Sequence, residues 1–186
     1  MKKTPAVFLD RDGTVNHEKG YLSDEKDLKL YSYAVKSILM LQKAGFKIVI
    51  ITNQSGIARG YFTEKKLSVI HKTLLKMLKD KGVIIDGIYY CPHGADDVCD
   101  CRKPKIGMAK LAEKNLNIDL SKSYVVGDSI RDYLMGYNFG GKGILVMTGH
   151  GKKQYAKLKD EKRKPLAVSK NLYEAVKIIL KDYEKK

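Results

Sequence analysis

The feature that most constrains this chain is the regular alternation of short apolar runs with longer amphipathic segments. The short runs are rich in β-branched and aromatic residues, are bounded by Gly, Asp or Asn, and cover residues 6–10, 47–52, 84–91, 124–127 and 143–147. The longer segments carry apolar residues at three- and four-residue spacing, at 33–44, 64–81, 106–117, 130–138 and 172–183. Strands that alternate with helices in this way form right-handed βαβ units around a parallel sheet.

The pattern predicts an α/β fold, a three-layer Rossmann-like parallel sheet with helices on both faces. In such sheets the ligand site lies outside the carboxyl ends of the strands. Thr63 is expected to begin the second helix, whereas Gly45 and Gly82 stand where two helices should end. The Lys-rich stretch 152–164 is interpreted as a surface connection. We expect residues 1–186 to form a single domain, because this length supports one core and not two.

Composition argues against several classes of protein. The 36 Lys and Arg residues outnumber the 21 Asp and Glu residues, and the formal charge of +15 would suit an anionic partner. Trp is absent and no nucleic-acid-binding motif is recognisable, so we expect a solvated basic surface and no nucleic acid. No run of about 18 apolar residues exists, which argues against a membrane protein. The first predicted strand begins too early for a signal peptide, so we expect a cytoplasmic protein. We also expect a monomer.

The first predicted strand runs directly into two carboxylates, in the sequence F-L-D-R-D-G-T at residues 8–14. Residues two apart on an extended chain point the same way, so Asp10 and Asp12 should leave the sheet together at the edge where ligands bind. Gly13 permits the turn that folds the loop back over them. Such a pair can simply cap a loop, but an apolar strand that ends in this motif is more typical of a catalytic site.

The second predicted strand ends in hydrogen-bond donors, T-N-Q-S-G at residues 52–56. The hydroxyl of Thr52 and the amides after it can donate several hydrogen bonds to phosphate oxygens. Taken alone, the motif also fits an ordinary turn from a strand to a helix. Its position after the two carboxylates favours the functional interpretation.

Two further motifs contribute charge to the same region. Arg102 and Lys103 lie between a cysteine and a proline, so the lysine stem is not free. Asp128 follows the apolar V-V-G at 125–127, where a carboxylate could complete a Mg²⁺ site, cap the next helix, or do both. Asp132 lies four residues further on, and we expect it to orient the loop.

The three cysteines of the chain lie close to a histidine, as Cys91, His93, Cys99 and Cys101. Three thiolates and one imidazole form a complete tetrahedral Zn²⁺ site with no position left for water, so the zinc should be structural. The alternative is three reduced core cysteines beside an incidental histidine, which the polar segment between His93 and Cys99 disfavours. The metal would stabilise the loop that carries the neighbouring Arg-Lys pair. The remaining histidines lack partners at such spacing and are expected at the surface: His17, His71 and His150.

Together these motifs resemble those of the haloacid dehalogenase superfamily of phosphotransferases, and the resemblance extends over most of the chain. By that resemblance, Asp10 is the nucleophile that takes up the phosphoryl group as an aspartyl-phosphate. Asp12 is the acid and base that protonates the leaving alcohol and then activates water. Thr52 corresponds to the phosphate-binding Ser or Thr, and Arg102 and Lys103 to the residues that stabilise the phosphoryl charge.

The resemblance also implies a Mg²⁺ cofactor, held by Asp10, Asp12 and Asp128. A hard cation is needed because an anionic nucleophile must otherwise approach an anionic phosphate unaided. Ser129 stands where some members of the superfamily carry a basic residue, which removes the basis for a substrate contact there.

A zinc loop placed before the Arg-Lys pair is similar to one branch of the superfamily, which has no large cap domain. The branch contains heptose bisphosphate phosphatases and histidinol-phosphate phosphatases. The segments 52–64 and 86–92 resemble the heptose enzymes, whereas the five-residue gap between His93 and Cys99 also occurs in histidinol phosphatases. The resemblance therefore implies a small phosphorylated sugar as substrate, a heptose 1,7-bisphosphate cleaved at position 7. Residues expected to contact it are Glu18, Lys19, Gly20, Tyr21, Asn53, Gln54, Ser55 and, for the second phosphate, Arg59.

Two alternatives to this function stay open at the level of the sequence. One is hydrolysis of histidinol phosphate, which the same active-site motifs would support. The other is a catalytically inactive relative whose basic surface binds nucleic acid or another anion.

Overall fold

The computed structural model describes residues 3–184, which build a six-stranded, fully parallel sheet in the order β3-β2-β1-β4-β5-β6. The strands are β1 (Ala6–Asp10), β2 (Lys47–Asn53), β3 (Gly87–Cys91), β4 (Tyr124–Gly127), β5 (Lys142–Val146) and β6 (Ala167–Ser169). The α-helices of these residues are α1 (Ala34–Lys43), α2 (Glu64–Lys79), α3 (Gly107–Leu116), α4 (Ile130–Asn138), α5 (Gly151–Ala156) and α6 (Leu172–Tyr183). The predicted α/β fold is thereby confirmed.

Both faces of the sheet are covered, and this explains why its strands read as continuous apolar runs. Alternate residues of β1 belong to different cores. Val7 and Leu9 pack in one cluster with residues of α1, α2 and α6, whereas Ala6 and Phe8 pack in a second cluster with residues of α3 and α4. All five residues of β1 are buried, so Asp10 reaches the sheet edge on a strand that is covered on both faces and paired with β2 and β4.

The expected helix boundaries are present at the predicted residues. The hydroxyl of Thr63 accepts the backbone N–H of Lys66 at 3.2 Å and begins α2. Gly45 and Gly82, which follow α1 and α2, adopt φ values of 84° and 79°, a left-handed conformation that other residues rarely tolerate. The turns at these glycines lead the chain from α1 into β2 and from α2 towards β3.

The structure differs from the predicted elements in two regions. β3 begins at Gly87 and not at 84, because Ile84 is 66% exposed and the carboxylate of Asp86 accepts the backbone N–H of Ile48 at 2.8 Å. The Lys-rich stretch overlaps α5, and the short strand β6 was not predicted from its three residues. Within residues 3–184, no helix combines the length and the apolar character needed to cross a membrane.

Candidate active site

A cleft of about 410 Å³ opens at the carboxyl ends of β1, β2 and β4. The strand order reverses between β1 and β4, because β2 and β3 lie on one side and β5 and β6 on the other. Ligand-binding crevices of α/β sheets form at such a reversal. The side chains that line the cleft include Asp10, Asp12, Thr52, Lys103, Asp128 and Asp132.

Lys103 is buried in this cleft between two carboxylates. Its Nζ lies 2.6 Å from Oδ1 of Asp10 and 2.6 Å from Oδ1 of Asp132, and it donates to the carbonyl oxygen of Ile51 at 3.2 Å. Burial alone would lower the pKa of Lys103, but Asp10 and Asp132 outweigh it and raise that pKa above its usual value. Lys103 is therefore a permanent cation beside Asp10.

The basic loop that carries Lys103 is held from two sides. The backbone N–H of Lys103 donates to Oδ1 of Asn53 at 3.1 Å, and Nδ2 of Asn53 donates to the Lys103 carbonyl at 3.4 Å. The guanidinium of Arg102 donates to the carbonyl oxygen of His93 at 3.0 Å. The end of β2 and the cysteine loop together position the two cations.

Asp10, Asp128 and Asp132 form an acidic cluster, in which one oxygen of each carboxylate lies within 4.8 Å of the others. Room for Asp128 depends on two glycines: a Cβ added to Gly13 or to Gly149 would lie 2.1 Å from Oδ2 of Asp128. The glycine of the first motif therefore admits a carboxylate from β4, in addition to allowing the turn.

Burial and mutual repulsion make it costly to ionise all the carboxyl groups of the acidic cluster. Burial raises the pKa of Asp10 well above its usual value, and Asp132 and Asp128 add to the rise, although Lys103 opposes it. Burial and the charge of Asp132 raise the pKa of Asp128 to about 7. A divalent cation that prefers hard oxygen ligands would relieve this repulsion. The donor set therefore fits Mg²⁺.

The carboxylate of Asp12 is held by a separate set of donors. Arg11 meets it twice, with Nε 3.1 Å from Oδ1 and Nη2 2.7 Å from Oδ2. Asn16 Nδ2 donates to Oδ1 and Gln54 Nε2 donates to Oδ2, both at 2.9 Å. Burial opposes ionisation, but the Arg11 charge and these hydrogen bonds lower the pKa of Asp12 below its usual value. Asp12 is therefore held as an anion.

That Asp12 ligates magnesium stays a prediction, and the Asp12 side chain is not one of the three carboxylates in the acidic cluster. Both of its oxygens are engaged by hydrogen-bond donors, whereas the side chain of Asp132 joins Asp10 and Asp128 in the acidic cluster. Asp132 also accepts the backbone N–H of Ser129 at 2.9 Å, in the capping box that begins α4. This bond fits the expectation that Asp132 orients the loop before α4.

His71 is buried, whereas its sequence spacing suggested a surface position. Its Nε2 lies 3.0 Å from Nη1 of Arg11, a side chain with no exposed surface. Burial and the Arg11 charge lower the pKa of His71 to about 3, so the imidazole is neutral. The contact joins α2 to the loop after β1, which is why spacing within one segment could not reveal it.

The end of β2 supplies polar groups to the same cleft. Thr52, Asn53, Gln54 and Ser55 all line it, as expected from the sequence. Nε2 of Gln54 donates to Oγ1 of Thr52 at 2.8 Å as well as to Asp12. Because its oxygen accepts this bond, the Thr52 hydroxyl keeps its own proton available for a ligand oxygen.

The four predicted zinc ligands come together at the end of β3, which contributes Cys91, and in the loop that leads to α3. Their ligand atoms all lie within 4.8 Å, with Sγ of Cys91 at 3.9 Å from Cys99 and 3.0 Å from Cys101, and Nδ1 of His93 at 3.3 Å from Sγ of Cys101. Zn–S bonds of about 2.3 Å separate the sulfurs of a tetrahedral site by roughly 3.8 Å. The donor set therefore fits a structural zinc.

The rim of the cleft contains Glu18, Gly20 and Tyr21, as expected, together with His150 and Arg131. Burial and the charge of Asp12 raise the pKa of Glu18, whose Oε2 lies 3.7 Å from Nε2 of His150. His150 is exposed, as predicted, but the prediction missed that it faces the cleft. Arg131 was also missed, because its position at the start of α4 resembles an ordinary surface residue.

Lys19 and Arg59 do not line the cleft, although both were expected to contact substrate. Nζ of Lys19 pairs with Asp27 at 2.9 Å, and Arg59 is exposed in the turn before α2. The backbone N–H of Arg59 donates to the Ser55 carbonyl at 3.2 Å within that turn, and the substrate contacts of Lys19 and Arg59 stay predictions.

Comparison with known proteins gives these features a context. Residues 100–175, which include Lys103 and Asp128, match the family described as "HAD-hyrolase-like". The chain is 46% identical over 152 residues to the D-glycero-beta-D-manno-heptose-1,7-bisphosphate 7-phosphatase of Haemophilus ducreyi, which covers 77% of this chain and 84% of the relative. It is 43% identical over 157 residues to the protein of the same name from Escherichia coli strain K12, with coverage of 80% and 82%.

Solved structures agree with the sequence comparison. The D,D-heptose 1.7-bisphosphate phosphatase from B. bronchiseptica, complexed with magnesium and phosphate, matches with a TM-score of 0.86 and 33% identity, covering 96% of this chain and 99% of that one. The D,D-heptose 1,7-bisphosphate phosphatase from Burkholderia thailandensis matches with a TM-score of 0.71 and 30% identity, covering 95% and 98%.

Proposed function

Because this chain belongs to the D-glycero-beta-D-manno-heptose-1,7-bisphosphate 7-phosphatases of the haloacid dehalogenase superfamily, we propose that it hydrolyses the 7-phosphate of that sugar bisphosphate. One observation of the structure carries the proposal. A buried carboxylate, Asp10, lies 2.6 Å from a fixed cation, Lys103, in the same cleft as a second carboxylate, Asp12, that is held by its own donors.

The first step uses Asp10 as the nucleophile. A carboxylate oxygen of Asp10 attacks the phosphorus, so a P–O bond to Asp10 forms while the bond to the sugar oxygen breaks. Only the ionised carboxylate attacks, and the ion pair with Lys103 favours that form against the effect of burial. Lys103 and Arg102 also stabilise the negative charge on the transferred phosphoryl oxygens.

Asp12 is the general acid and base in both steps. Because Asp12 is an anion in the free protein, it first takes up a proton from solvent as the phosphate anion binds nearby and raises the pKa of its carboxyl. It gives that proton to the sugar oxygen as that oxygen leaves, and then takes one from the water that hydrolyses the aspartyl-phosphate. Of its three donor residues, Gln54 lines the cleft, whereas Arg11 and Asn16 have no exposed surface. The leaving oxygen therefore reaches Asp12 from the Gln54 side, where it displaces a neutral donor and not the cation.

We propose Mg²⁺ and Zn²⁺ as the two metals of the protein. Asp10 and Asp128 would hold the magnesium, beside Asp132, because their clustered oxygens are the donors this cation prefers. Magnesium supplies positive charge that neutralises the phosphate and the carboxylates around it. The similar enzyme from B. bronchiseptica, complexed with magnesium and phosphate, supports this assignment.

The zinc would have a structural function, held by Cys91, His93, Cys99 and Cys101. Four protein ligands complete its coordination and leave no position for a reacting water. Zinc thiolates persist in a reducing compartment, which supports the proposal that the protein works in the cytoplasm.

The distal end of the substrate would lie at the rim of the cleft. If the 7-phosphate is at Asp10, the sugar passes Gly20, Tyr21 and Ser55, and the 1-phosphate needs a cation of its own. Arg131 replaces Arg59 as the candidate for this contact, because Arg131 lines the cleft and Arg59 does not. An arginine fork suits a phosphate because it can donate two parallel hydrogen bonds.

Steady-state kinetics on a substrate panel test the proposal. We expect kcat/KM for the heptose 1,7-bisphosphate to exceed that for histidinol phosphate at moderate salt, because histidinol phosphate carries a cationic amine in place of the second anion. Arg131→Gln should raise KM for the bisphosphate by about fivefold to tenfold and leave the monophosphates unchanged, while the matched control Arg59→Gln leaves both unchanged. Equal or greater kcat/KM for histidinol phosphate would favour that alternative.

Turnover itself distinguishes the second alternative, a catalytically inactive anion-binding relative. No hydrolysis of any phosphate ester by zinc-loaded protein in saturating Mg²⁺ would support it. The four acidic and basic groups converging in the cleft, Asp10, Asp12, Lys103 and Asp128, argue against it.

A further inference from the structure

The contact between His71 and Arg11 is a buried polar interaction that the steps above do not use. Neither side chain lines the cleft, yet Arg11 has no exposed surface and His71 is only 6% exposed. A guanidinium cannot lose its charge in a protein, so a buried one needs hydrogen-bond acceptors around it. Asp12 occupies Nε and Nη2, and His71 faces Nη1.

The geometry determines which ring nitrogen of His71 carries the proton. Arginine has only donors, so Nε2 of His71, at 3.0 Å from Nη1, must be the acceptor. The proton of the neutral ring then lies on Nδ1. The charged group nearest to the ring is Arg11, with Asp12 behind it, and the neighbouring aromatic is Tyr90, whose ring centroid lies 5.8 Å away. The hydroxyl of Tyr90 donates its proton to Glu64 and therefore not to the imidazole.

We propose that His71 is a positioning residue for the reaction, because its neutral imidazole orients Arg11 and thereby holds the carboxylate of Asp12 where it transfers protons. This inference rests on the proposed acid–base function of Asp12. His71 anchors one end of the guanidinium plane on α2, and the other end presents two parallel donors to Asp12. Without His71, Nη1 lacks a buried acceptor, and the guanidinium plane rotates towards another one. Because the same plane holds Asp12, the rotation moves the Asp12 carboxylate away from the leaving oxygen.

The consequence concerns the proton that Asp12 delivers to the leaving group. As the P–O bond to the leaving group breaks and the P–O bond to Asp10 forms, Asp12 delivers its proton to the departing oxygen. A leaving group that is stable as an anion needs no such proton, whereas a poor leaving group does. Loss of His71 should therefore affect the two kinds of substrate unequally, which a merely structural role would not do.

The test compares His71→Met, which has no strong acceptor, with His71→Gln, whose amide oxygen can take the place of Nε2. We expect His71→Met to lower kcat/KM for phenyl phosphate by about 30-fold, but that for p-nitrophenyl phosphate by less than about threefold. His71→Gln should remain within about threefold of the parent for both esters. Because kcat/KM covers the steps up to phosphoryl transfer, slow hydrolysis of the aspartyl-phosphate does not disturb the comparison.

A double-substitution cycle completes the kinetic test. In an Asp12→Asn background, His71→Met should have no further effect on phenyl phosphate hydrolysis, since the carboxyl group that delivers the proton has already been removed. Equal losses for both esters in His71→Met, or no loss in either, would overturn the proposal. The aryl esters contain no sugar, so failure of the heptose substrate assignment leaves this test intact.

A second measurement needs no turnover. Nitrogen-15 NMR of histidine-labelled, zinc-loaded protein should show one imidazole that is protonated on Nδ1 and does not titrate between pH 5 and 9, and this signal should be missing in His71→Gln. A His71 ring protonated on Nε2, or one that titrates in this range, would contradict the inference even if the protein hydrolysed no aryl ester.

Discussion

Two clusters of metal-ligand side chains in this protein are built in opposite ways. The acidic cluster, Asp10, Asp128 and Asp132, stands at the ends of β1 and β4 and the start of α4, and its members are 7%, 3% and 1% exposed. The zinc-ligand cluster begins at Cys91, the buried last residue of β3, and continues into a loop that reaches solvent, where Val98 is 99% exposed beside Cys99. The sheet and α4 therefore position all three carboxylates, whereas only one of the four zinc-ligand side chains lies on a strand.

The difference shows what each metal contributes. Burial and mutual repulsion raise the pKa of the carboxylates, so magnesium would stabilise charge in a site that exists without it. Burial and the neighbouring Cys101 raise the pKa of Cys91 to about 12, so zinc would have to displace a proton there in order to bind and close the loop. The two clusters meet at Lys103, which follows Cys101 by two residues and pairs with Asp10.

The largest effect should come from removing the nucleophile in the sheet-built cluster. We expect Asp10→Asn to lower kcat on the order of 10⁴-fold or more, because no other group in the cleft forms the covalent bond. The fold should persist, since the substitution removes a buried charge and Lys103 keeps its partner Asp132. Phosphate release and thermal unfolding measure the two properties.

The matched control is Asp80→Asn, at the exposed end of α2, which should change neither property. Turnover near the parent level in folded Asp10→Asn protein would refute the covalent mechanism. Loss of the cooperative unfolding transition would instead show that the acidic cluster is needed for folding, and would break the contrast with the zinc loop.

A smaller effect should follow from removing one zinc ligand. We expect Cys99→Ala to lower kcat/KM by roughly 10- to 100-fold, because Arg102 and Lys103 lose their fixed positions. Structural zinc contributes folding free energy, but here a large core surrounds the sheet, so the disorder should be local. Hydrogen exchange should accelerate in the 91–107 region and stay slow in β1 and β4.

Val98→Ala is the control for this prediction, since Val98 precedes Cys99 and is almost fully exposed. Metal analysis should find about one zinc per chain in the parent and in Val98→Ala, and none in Cys99→Ala. Protein purified without chelator that contains no zinc, or a Cys99→Ala variant that unfolds globally, would count against the difference drawn between the clusters.

The contrast also explains which parts of the site were predictable from sequence. Asp10 and Asp128 follow apolar strands, and parallel strands end at one edge of the sheet, so local pattern was enough to bring them together. The zinc ligands were predictable because four soft donors lie within eleven residues. In the first case the strand pattern, and in the second the spacing along the chain, is enough to predict that the side chains lie close together.

The parts that could not be predicted depend on contacts between distant segments. His71 lies on α2, and only the packing of that helix against the loop after β1 shows that it meets Arg11. In the same region Arg11 engages Asp12, while Asp132 joins Asp10 and Asp128 in the acidic cluster. Arg59 does not line the cleft, and its contact with the second phosphate stays a prediction, because the direction of a turn side chain cannot be read from spacing along the chain.

The last and smallest effect concerns how each cluster responds to pH. The folded pKa of Asp128, about 7, lies above the ordinary carboxyl value of 3.8 because of burial and Asp132. The folded state therefore favours the protonated form, and the stability that this gives the metal-free protein is lost as pH rises through about 7. Magnesium needs the ionised carboxylate, so its binding must release the proton below that pH.

Calorimetric titration of zinc-loaded protein with Mg²⁺ should therefore show the affinity rising about tenfold between pH 6 and pH 8, as expected for one competing proton. At pH 6 the measured heat should depend on the ionisation enthalpy of the buffer, because nearly one proton leaves for each ion bound. Asp128→Asn should bind Mg²⁺ more weakly and lose most of this pH dependence, while zinc content stays unchanged over the same range. A parent affinity that is flat between pH 6 and pH 8 would mean that Asp128 is already ionised without the metal. The acidic cluster would then be preorganised in charge as well as in position, which would sharpen its contrast with the thiols.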